Sequence, residues 1–546
     1  MGILKAQGVV YKPVDEVDLG PESDEFYIRA NVKAPRMAGL FVKVFTWFLE
    51  SSIFGGILLY FLKRNNLIHK TLDYYRIANL STYISYVQKV SYGSLSHLHS
   101  YKNHLSLFRC THIKVADRFI ASVHESSNRH LQMSFFINYN AEDILKQATE
   151  STARHAQGAP ISILDGVPVA IKDEIDCMPY PTTGGTKWLH KVRQCKNDAC
   201  CVSRLRACGA IIVGKTNMHE LGAGISGINP HYGAARNPYN RSKITGGSSS
   251  GSAAVVAAGL CPVALGVDGG GSVRLPAALC GVVGLKPTFA RVPHNGVLPI
   301  NYTVGMVGIL AATVEDALIT YAAISGGLPS DHSGITMWFN DCSDDIRECC
   351  SNAVAKLSDK YGWQSVEVTI PDIEVMRLAH YLTIGSECSD SIASYLENIN
   401  RAELGWDVRV GLSVYSSFHS HEYLNAQRIR KRQLQFHEKI FSVADVIVTP
   451  TVGVTAYTIE DDALKTGELD YINGAALVRY QIAGNFLGLP AVTVPVGYDR
   501  SGLPIGLQFI GKPWSESLLI HIASALQALC KSGYKKPEVF FDMLAC

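Results

Sequence analysis

Two clusters rich in glycine and serine, at either end of one short apolar segment, constrain the fold most strongly. The segment GGSSSGSAAVVAAGLCPVALGVDGGGSVRLP occupies residues 246–276. Each cluster alone has the composition of a flexible linker. The small apolar residues between Ser252 and Ala264, however, suit a tightly packed helix followed by a strand. Both clusters are therefore predicted to be turns at the edges of a buried element.

The second cluster has the composition of an oxyanion-binding loop. Gly269, Gly270 and Gly271 precede Ser272, and glycine turns allow backbone N–H groups to converge on one point close to a ligand. An oxyanion hole needs such donors around the negative oxygen of a tetrahedral intermediate, and losing one costs about 3 kcal/mol of barrier. The loop predicts Ser272 as a nucleophile beside the donors.

A serine nucleophile needs a base to accept its proton. No histidine has a sequence setting that singles it out, although any of them could approach in space. Lys172 is the other candidate, because it ends the apolar strand VPVAIK and burial favours the uncharged form of a lysine. Alternatively, Lys172 closes the strand as a solvated charge paired with Asp173 or Glu174. The residues alone leave both interpretations open.

Charge and cysteine usage exclude several classes of protein. The chain has 50 Lys and Arg against 48 Asp and Glu, without a basic stripe, so no nucleic acid partner is predicted. The 14 cysteines lack zinc spacing, so we predict no metal site and interpret them as buried thiols in a reducing compartment. The first residues do not have the pattern of a secretory signal, which favours an intracellular location.

From about Asn138 onward, helical and strand patterns alternate along the chain. This alternation predicts an α/β fold with a large mixed, mostly parallel sheet covered by helices on both faces. The predicted strands lie at VPVAIK, AIIVG, PVALG, MWFND, DVIVTPT and AVTVPV, and the predicted helices at AEDILKQATESTARHAQG, CCVSRLRACG, VEDALITYAAISG and residues 344–360.

The most apolar stretch near either end is GLFVKVFTWFLESSIFGGILLYFL, residues 39–62. Lys43 and Glu50 interrupt it and Gly55 and Gly56 break it, so it falls short of the roughly 20 apolar residues that a membrane span requires. We expect two short helices that lie on a membrane surface or pack on the protein body or a twin subunit. Residues 65–130 are predicted to be irregular. The predicted division is an N-terminal helical, membrane-associating region (1–130) and a catalytic domain (131–546).

Several motifs from Asn138 to the C-terminal helix together resemble the amidase signature family. They are GVPVAIKDEID, GKTNMHELG, ARNPYN, GGSSSGSAA, GVDGGGSVRLPAALCGVVGLKPT, DVIVTPT and NFLGLPAVTVPVG, in matching order and spacing. Within the family, the chain is most similar to plant members that act on fatty acid amides. The sequence GAGISG at residues 222–227 satisfies G-x-G-x-x-G but lacks the strand and helix of a nucleotide-binding unit, so we assign it no such role.

The resemblance implies the amidase signature fold, no cofactor, and a Ser-Ser-Lys triad. In that triad Ser272 forms the acyl-enzyme, Ser248 follows a cis peptide bond and relays the proton, and Lys172 is the terminal base. The resemblance also implies backbone donors for the substrate oxygen at Gly269, Gly270, Gly271 and Ser272, braces at Asp268 and Arg274, and network members at Ser249 and Ser250.

The implied substrates are N-acylethanolamines. The apolar N-terminal run motivates the hypothesis of a homodimer whose N-terminal helices cap one another, and we expect an association with the cytosolic face of the endoplasmic reticulum or plasma membrane. The chain departs from the family pattern at Val267 and at Ala223, and we expect an altered fit of the acyl group. Ala223 is expected to contact the substrate. A short connection after VEDALITYAAISGG puts one edge strand in doubt. The alternatives are a soluble amidase for small aliphatic or aromatic amides, a glutamine-dependent transamidation subunit, and a non-catalytic scaffold on the same fold.

Overall fold

An eleven-stranded mixed sheet forms the centre of the protein. The computed structural model describes residues 14, 17, 19, 36–65, 111–325, 335–337, 342–363 and 365–544. Its strands are Met37–Ala38 (β1), Phe136–Asn138 (β2), Pro168–Lys172 (β3), Ile211–Thr216 (β4), Arg236–Asn237 (β5), Asn240–Ile244 (β6), Val263–Asp268 (β7), Val283–Lys286 (β8), Met306–Ala311 (β9), Ile335–Met337 (β10), Ser365–Glu367 (β11), Val446–Pro450 (β12), Glu468–Leu469 (β13), Ala491–Tyr498 (β14) and Pro504–Gly511 (β15).

Helices pack around this sheet, as the sequence predicts. They are Gly39–Leu49 (α1), Gly55–Asn65 (α2), His112–Ser126 (α3), Ala141–Ala156 (α4), Leu189–Val192 (α5), Cys200–Ala207 (α6), Ser250–Ala257 (α7), Arg274–Cys280 (α8), Val314–Ser325 (α9), Asp344–Tyr361 (α10), Ile373–Leu396 (α11), Trp406–Tyr415 (α12), Ser420–Val443 (α13), Tyr471–Val478 (α14), Ile482–Phe486 (α15) and Glu516–Cys530 (α16).

The mixed sheet is confirmed, but the expectation that it is mostly parallel is wrong. Its order is β11-β10-β12-β15-β14-β8-β9-β7-β3-β4-β2, and four of the ten neighbouring pairs are parallel. The other six are antiparallel. Helix–strand alternation reveals the parallel units, whereas β8 and β9, like β14 and β15, follow one another without a helix between them and pair antiparallel.

The expectation of an irregular segment over residues 65–130 is wrong for its last part. Helix α3 starts after Thr111, whose side chain accepts a hydrogen bond from the Lys114 N–H and so caps the helix. Its residues Phe119 and Val123 are buried in one cluster with Ile144 of α4. Residues 66–110 lie outside the described part. The boundary at residue 130 stays a prediction.

The shortened connection is only partly visible. Residues 326–334 and 338–341 lie outside the described residues. The segment in which an edge strand or loop is in doubt thus lies mostly outside the described residues, and β10, at Ile335–Met337, pairs in parallel with both β11 and β12.

Residues 246–276 form turns around a buried helix and strand, as predicted. Helix α7 and strand β7 are buried along their entire lengths. Gly251 allows this close packing, because a Cβ atom there would meet backbone atoms of Asn217. Strand β3 pairs in parallel with β7, and parallel neighbours end at the same edge of a sheet. Lys172 and the Gly269–Ser272 loop are therefore brought to one edge.

The apolar N-terminal segment forms two short helices, as expected. In the part of the chain that the structure describes, no helix is long and apolar enough to cross a membrane. The two charges that interrupt the run tie it to the catalytic body: Glu50 pairs with Arg401 (2.9 Å) and Arg409, while Lys43 lies over the ring of Trp406. One face of the pair thus packs on α12.

Candidate active site

Lys172 and Ser248 are in direct contact inside the protein. Nζ of Lys172 lies 2.8 Å from Oγ of Ser248, and both side chains are buried. The Gly247–Ser248 peptide bond is cis, as the resemblance implies. Lys172 also donates to the carbonyl of Val267 (3.2 Å), and its Nζ lies 2.7 Å from Oε2 of Glu174.

Both interpretations of Lys172 from the sequence describe part of what is found. The lysine is 0% exposed, so it is not a solvated charge. The carboxylate named as its alternative partner is nevertheless present, since Glu174 is also buried and contacts the amine. Asp173 instead faces Lys215, with Nζ and Oδ1 3.1 Å apart. Lys172 therefore has a carboxyl on one side and the Ser248 hydroxyl on the other.

The glycine loop is shaped by a buried ion pair between Asp268 and Arg274. Their closest atoms are 3.0 Å apart and neither side chain is exposed. Asp268 also accepts from the N–H groups of Gly271 (2.8 Å) and Val273 (3.1 Å). Burial raises the pKa of Asp268, but Arg274, Lys286 and Asn485 more than offset it, and the net pKa is lowered. The Asp268–Arg274 pair, predicted as a structural brace, thus holds the glycine loop in place.

The four expected donors to a substrate oxygen are not equivalent. Gly270 and Ser272 line a cavity, whereas the Gly271 N–H already donates to Asp268. Gly271 has φ +105°, and a Cβ atom there would lie 2.5 Å from Cγ of Gln481. Gly271 therefore shapes the loop, while Gly270 and Ser272 are the two of the four that line the cavity.

The other predicted supporting residues lie beside the two serines. The Ser249 N–H donates to the carbonyl of Ser272 (3.2 Å), which ties the relay segment to the nucleophile segment. Oγ of Ser250 donates to the carbonyl of Asn217 (3.4 Å). Both serines are buried. They join α7 to its neighbours and do not line the cavity.

A cavity of about 250 Å³ adjoins this edge of the sheet. Ala223 lines it, as expected for an acyl contact. Sequence reasoning missed much of the rest of its wall, because α11, α12 and α14, which contribute several of those residues, carry no motif. The apolar and aromatic members are Leu221, Ile225, Ile300, Tyr381, Ile384, Cys388, Tyr415, Tyr457, Leu469, Tyr471, Val478 and Ile482.

His380, which the sequence did not single out, contacts the glycine loop from the cavity side. Its Nε2 lies 2.8 Å from the carbonyl oxygen of Gly269. Burial lowers the pKa of His380 to about 4, so the ring is neutral at pH 7 and Nε2 carries the proton that it donates. Among the described residues, no group of three or more His, Cys, Asp and Glu side chains is placed to hold a metal ion.

Several known proteins are similar to this chain. The family model described as Amidase matches residues 120–520. The chain is 40% identical, over an alignment of 604 positions, to a fatty acid amide hydrolase of Oryza sativa subsp. indica, covering 97% of this chain and 98% of that protein. It is 40% identical over 607 residues to a fatty acid amide hydrolase of Arabidopsis thaliana, covering 98% and 99%. A crystal structure of an amidase superposes with a TM-score of 0.70 at 25% identity, covering 79% and 99%.

The fold and the buried lysine–serine pair beside a glycine loop are those of a serine-type amide hydrolase. The chain belongs to the amidase signature family.

Proposed function

We propose that this protein hydrolyses fatty acid amides, N-acylethanolamines among them, to a free fatty acid and an amine. One observation carries the proposal: the Lys172–Ser248 contact of 2.8 Å lies next to Gly222, which lines the same cavity as Ser272. Relatives that match nearly the whole chain are named fatty acid amide hydrolases. This supports the lipid substrate over the small amides of the alternative.

In the proposed acylation step, Oγ of Ser272 attacks the amide carbon. Ser248 accepts the proton from Ser272 and passes its own proton to Lys172. The carbonyl oxygen becomes an oxyanion, which the N–H groups of Gly270 and Ser272 stabilise because both residues line the cavity.

The relay then runs in reverse. Lys172 returns its proton through Ser248 to the nitrogen, so that the C–N bond breaks and a neutral amine leaves. A water molecule gives its proton to the same relay and attacks the acyl-enzyme. The C–O bond to Ser272 breaks, the acid is released and the serine recovers its proton.

The cavity wall suits an acyl chain better than a small polar amide. Side chains such as Ile300, Ile384, Val478 and Ile482 offer apolar surface along it. Burying one CH₂ group is favourable by about 0.8 kcal/mol, or about fourfold in binding. We therefore expect kcat/KM to rise with acyl length until the cavity is filled.

The outer face of α1 and α2 is the proposed contact with a membrane surface. Exposed apolar residues cover it: Leu40, Phe41, Val44, Trp47, Phe48, Ile53, Phe54, Ile57, Tyr60 and Phe61. Their inner face packs beside Leu469 and Tyr471, which line the cavity. A lipid substrate would thus have a short path from the bilayer. The free thiols of the described cysteines suit the cytosolic face of an intracellular or plasma membrane.

A homodimer is the second proposed contact, with α1 and α2 of each copy covering one another. It competes with the membrane for the same apolar face, so the oligomeric state with and without vesicles tests the two together. A chain lacking residues 1–64 that stays dimeric would rule out this dimer.

The decisive experiment compares a long-chain N-acylethanolamine with a short aliphatic amide, using the intact protein, Ser272→Ala and a control, Ser203→Ala. Ser203 is exposed on α6. Rapid long-chain hydrolysis that Ser272→Ala abolishes and Ser203→Ala retains would establish the lipid amidase. Cleavage of the short amide alone would favour the small-amide alternative. If folded protein cleaves neither, the non-catalytic scaffold becomes the better account.

A further inference from the structure

Glu174 is buried against the base of the proposed relay and has no role in it so far. Its Oε2 lies 2.7 Å from Nζ of Lys172, and the two side chains are 2% and 0% exposed. A Cβ atom on Gly222 would lie 3.7 Å from that oxygen and 3.6 Å from Oγ of Ser248. The carboxyl, the amine and the relay hydroxyl therefore form one compact cluster beside the cavity.

This contact poses a chemical problem for a lysine base. A lysine can accept a proton only as the neutral amine, whereas a carboxylate at 2.7 Å favours the ammonium. At 2.7 Å the amine and the carboxyl are within hydrogen-bond distance, so one proton can pass directly between them. The pair has zero net charge whether that proton lies on nitrogen or on oxygen, so moving it between them changes no net charge in the buried site.

We infer that Glu174 is a positioning residue that takes the proton of Lys172, leaving a neutral amine to accept the proton of Ser248. This inference rests on the proposed function of the triad. The N–H bond of the ammonium breaks and an O–H bond forms on Glu174. The amine then bonds the proton from Ser248, and Ser248 the proton from Ser272. The pair gains one positive charge on acylation and loses it when the leaving group is protonated.

Few other ionisable groups face Glu174. Cys388 approaches from α11, and burial raises the pKa of its thiol to about 12, so it stays neutral. Asp173 is engaged elsewhere, pairing with Lys215 and accepting from the Thr183 N–H (3.1 Å). Lys172 is thus the charged partner of Glu174.

The loop side holds two further pairs, and the Glu220 carboxyl also accepts from the Gly405 N–H (2.8 Å). Nε2 of His219 lies 3.2 Å from Oδ2 of Asp407, and Nε2 of His231 lies 2.9 Å from Oε1 of Glu220. Gly222, between this loop and Glu174, carries no ionisable side chain. The pH response of the site is therefore expected to follow the Lys172–Glu174 pair.

Replacing Glu174 with Gln distinguishes two possible roles of the carboxyl, because they predict shifts of the pH profile in opposite directions. If the carboxyl takes the proton of Lys172, the amide cannot replace it, and the lysine must lose its proton to solvent before acting. The acid limb of the pH profile then moves to higher pH. If Glu174 only stabilises the ammonium, its removal makes the lysine easier to deprotonate, and the acid limb moves to lower pH.

The experiment measures how fast a fluorophosphonate modifies Ser272 between about pH 5 and 10, alongside amide hydrolysis. The reagent forms an O–P bond, releases fluoride and uses the same relay for the serine proton, but it does not require the correct amide. We expect Glu174→Gln to move the acid limb up by at least about one pH unit, a tenfold loss on that limb, with recovery at high pH. Glu174→Asp should restore it towards that of the wild type.

Glu516→Gln is the matched control, because Glu516 is a buried carboxyl whose Oε1 accepts from the Thr288 N–H. Its profile should match that of the wild type. An acid limb that is unchanged or moves to lower pH in Glu174→Gln would overturn the inference. If Glu174→Gln does not fold, folded Glu174→Asp provides the test. An acid limb at lower pH than that of the wild type would then overturn the inference. Failure to modify Ser272 in the wild type at any pH also refutes it, whereas modification without amide hydrolysis refutes only the proposed substrate.

Discussion

Polar substitutions on the outer face of α1 and α2 should weaken membrane binding by an amount that follows from their exposure. Trp47 is 64% exposed and Ile57 is 61% exposed. Full burial of a large apolar side chain is favourable by about 1.5–3 kcal/mol, so transferring these exposed parts to lipid gives about 1–2 kcal/mol each. The double variant Trp47→Ser, Ile57→Ser should therefore partition at least about 30-fold more weakly onto vesicles.

The assay is co-sedimentation with phospholipid vesicles across a range of lipid concentrations. Val443→Ser is the matched control. Val443 is 65% exposed and is the last residue of the 24-residue helix α13. Hydrolysis of detergent-dispersed substrate should be unchanged in the double variant, since its side chains lie outside the cavity. Unaltered vesicle binding by the double variant would refute the reasoning. A change from dimer to monomer with unaltered vesicle binding would identify the face as a subunit interface.

Three further outcomes follow from the site. Asp268→Asn leaves Arg274 as a buried charge with its carboxylate removed, so it should cost about 3–5 kcal/mol of stability and lower the melting temperature, which calorimetry would show. Ala223→Leu should reduce kcat/KM for the longest acyl chains more than for short ones, because residue 223 lines the cavity; an equal loss for all lengths would contradict the assignment. Burial lowers the pKa of Lys286 to about 7 in the folded chain. Between about pH 7 and 10 the unfolded chain therefore binds a proton at Lys286 that the folded chain does not. The free energy of unfolding, compared with that of Lys286→Met, should rise with pH over that window by about 1 kcal/mol per pH unit.

The sequence predicted the local parts of the site because each depends on only a few adjacent residues. Helix α7 and strand β7 follow from a run of small apolar residues, and their burial follows from their composition. The association of Lys172 with Ser272 was implied by the family resemblance, and the parallel pairing of β3 with β7 brings Lys172 and the Ser272 loop to one edge. The cis bond before Ser248 was implied by family resemblance alone.

Contacts between distant segments were not predictable in this way. The antiparallel insertion of β8, β9 and β15 depends on which strand ends meet, and a short apolar strand does not encode its direction. The engagement of the Gly271 N–H by Asp268 depends on a φ of +105° in one turn.

Composition and motif order by themselves determined the class of fold, the triad candidates and the two short N-terminal helices. Those features depend on side-chain periodicity and on neighbours along the chain. Only the tertiary structure decided that Glu174 contacts Lys172 while Asp173 turns to Lys215, and that α11, α12 and α14 wall the cavity. The physical reason is that two adjacent carboxylates differ in their partners only after the strand end is buried, when each must find its own counter-charge.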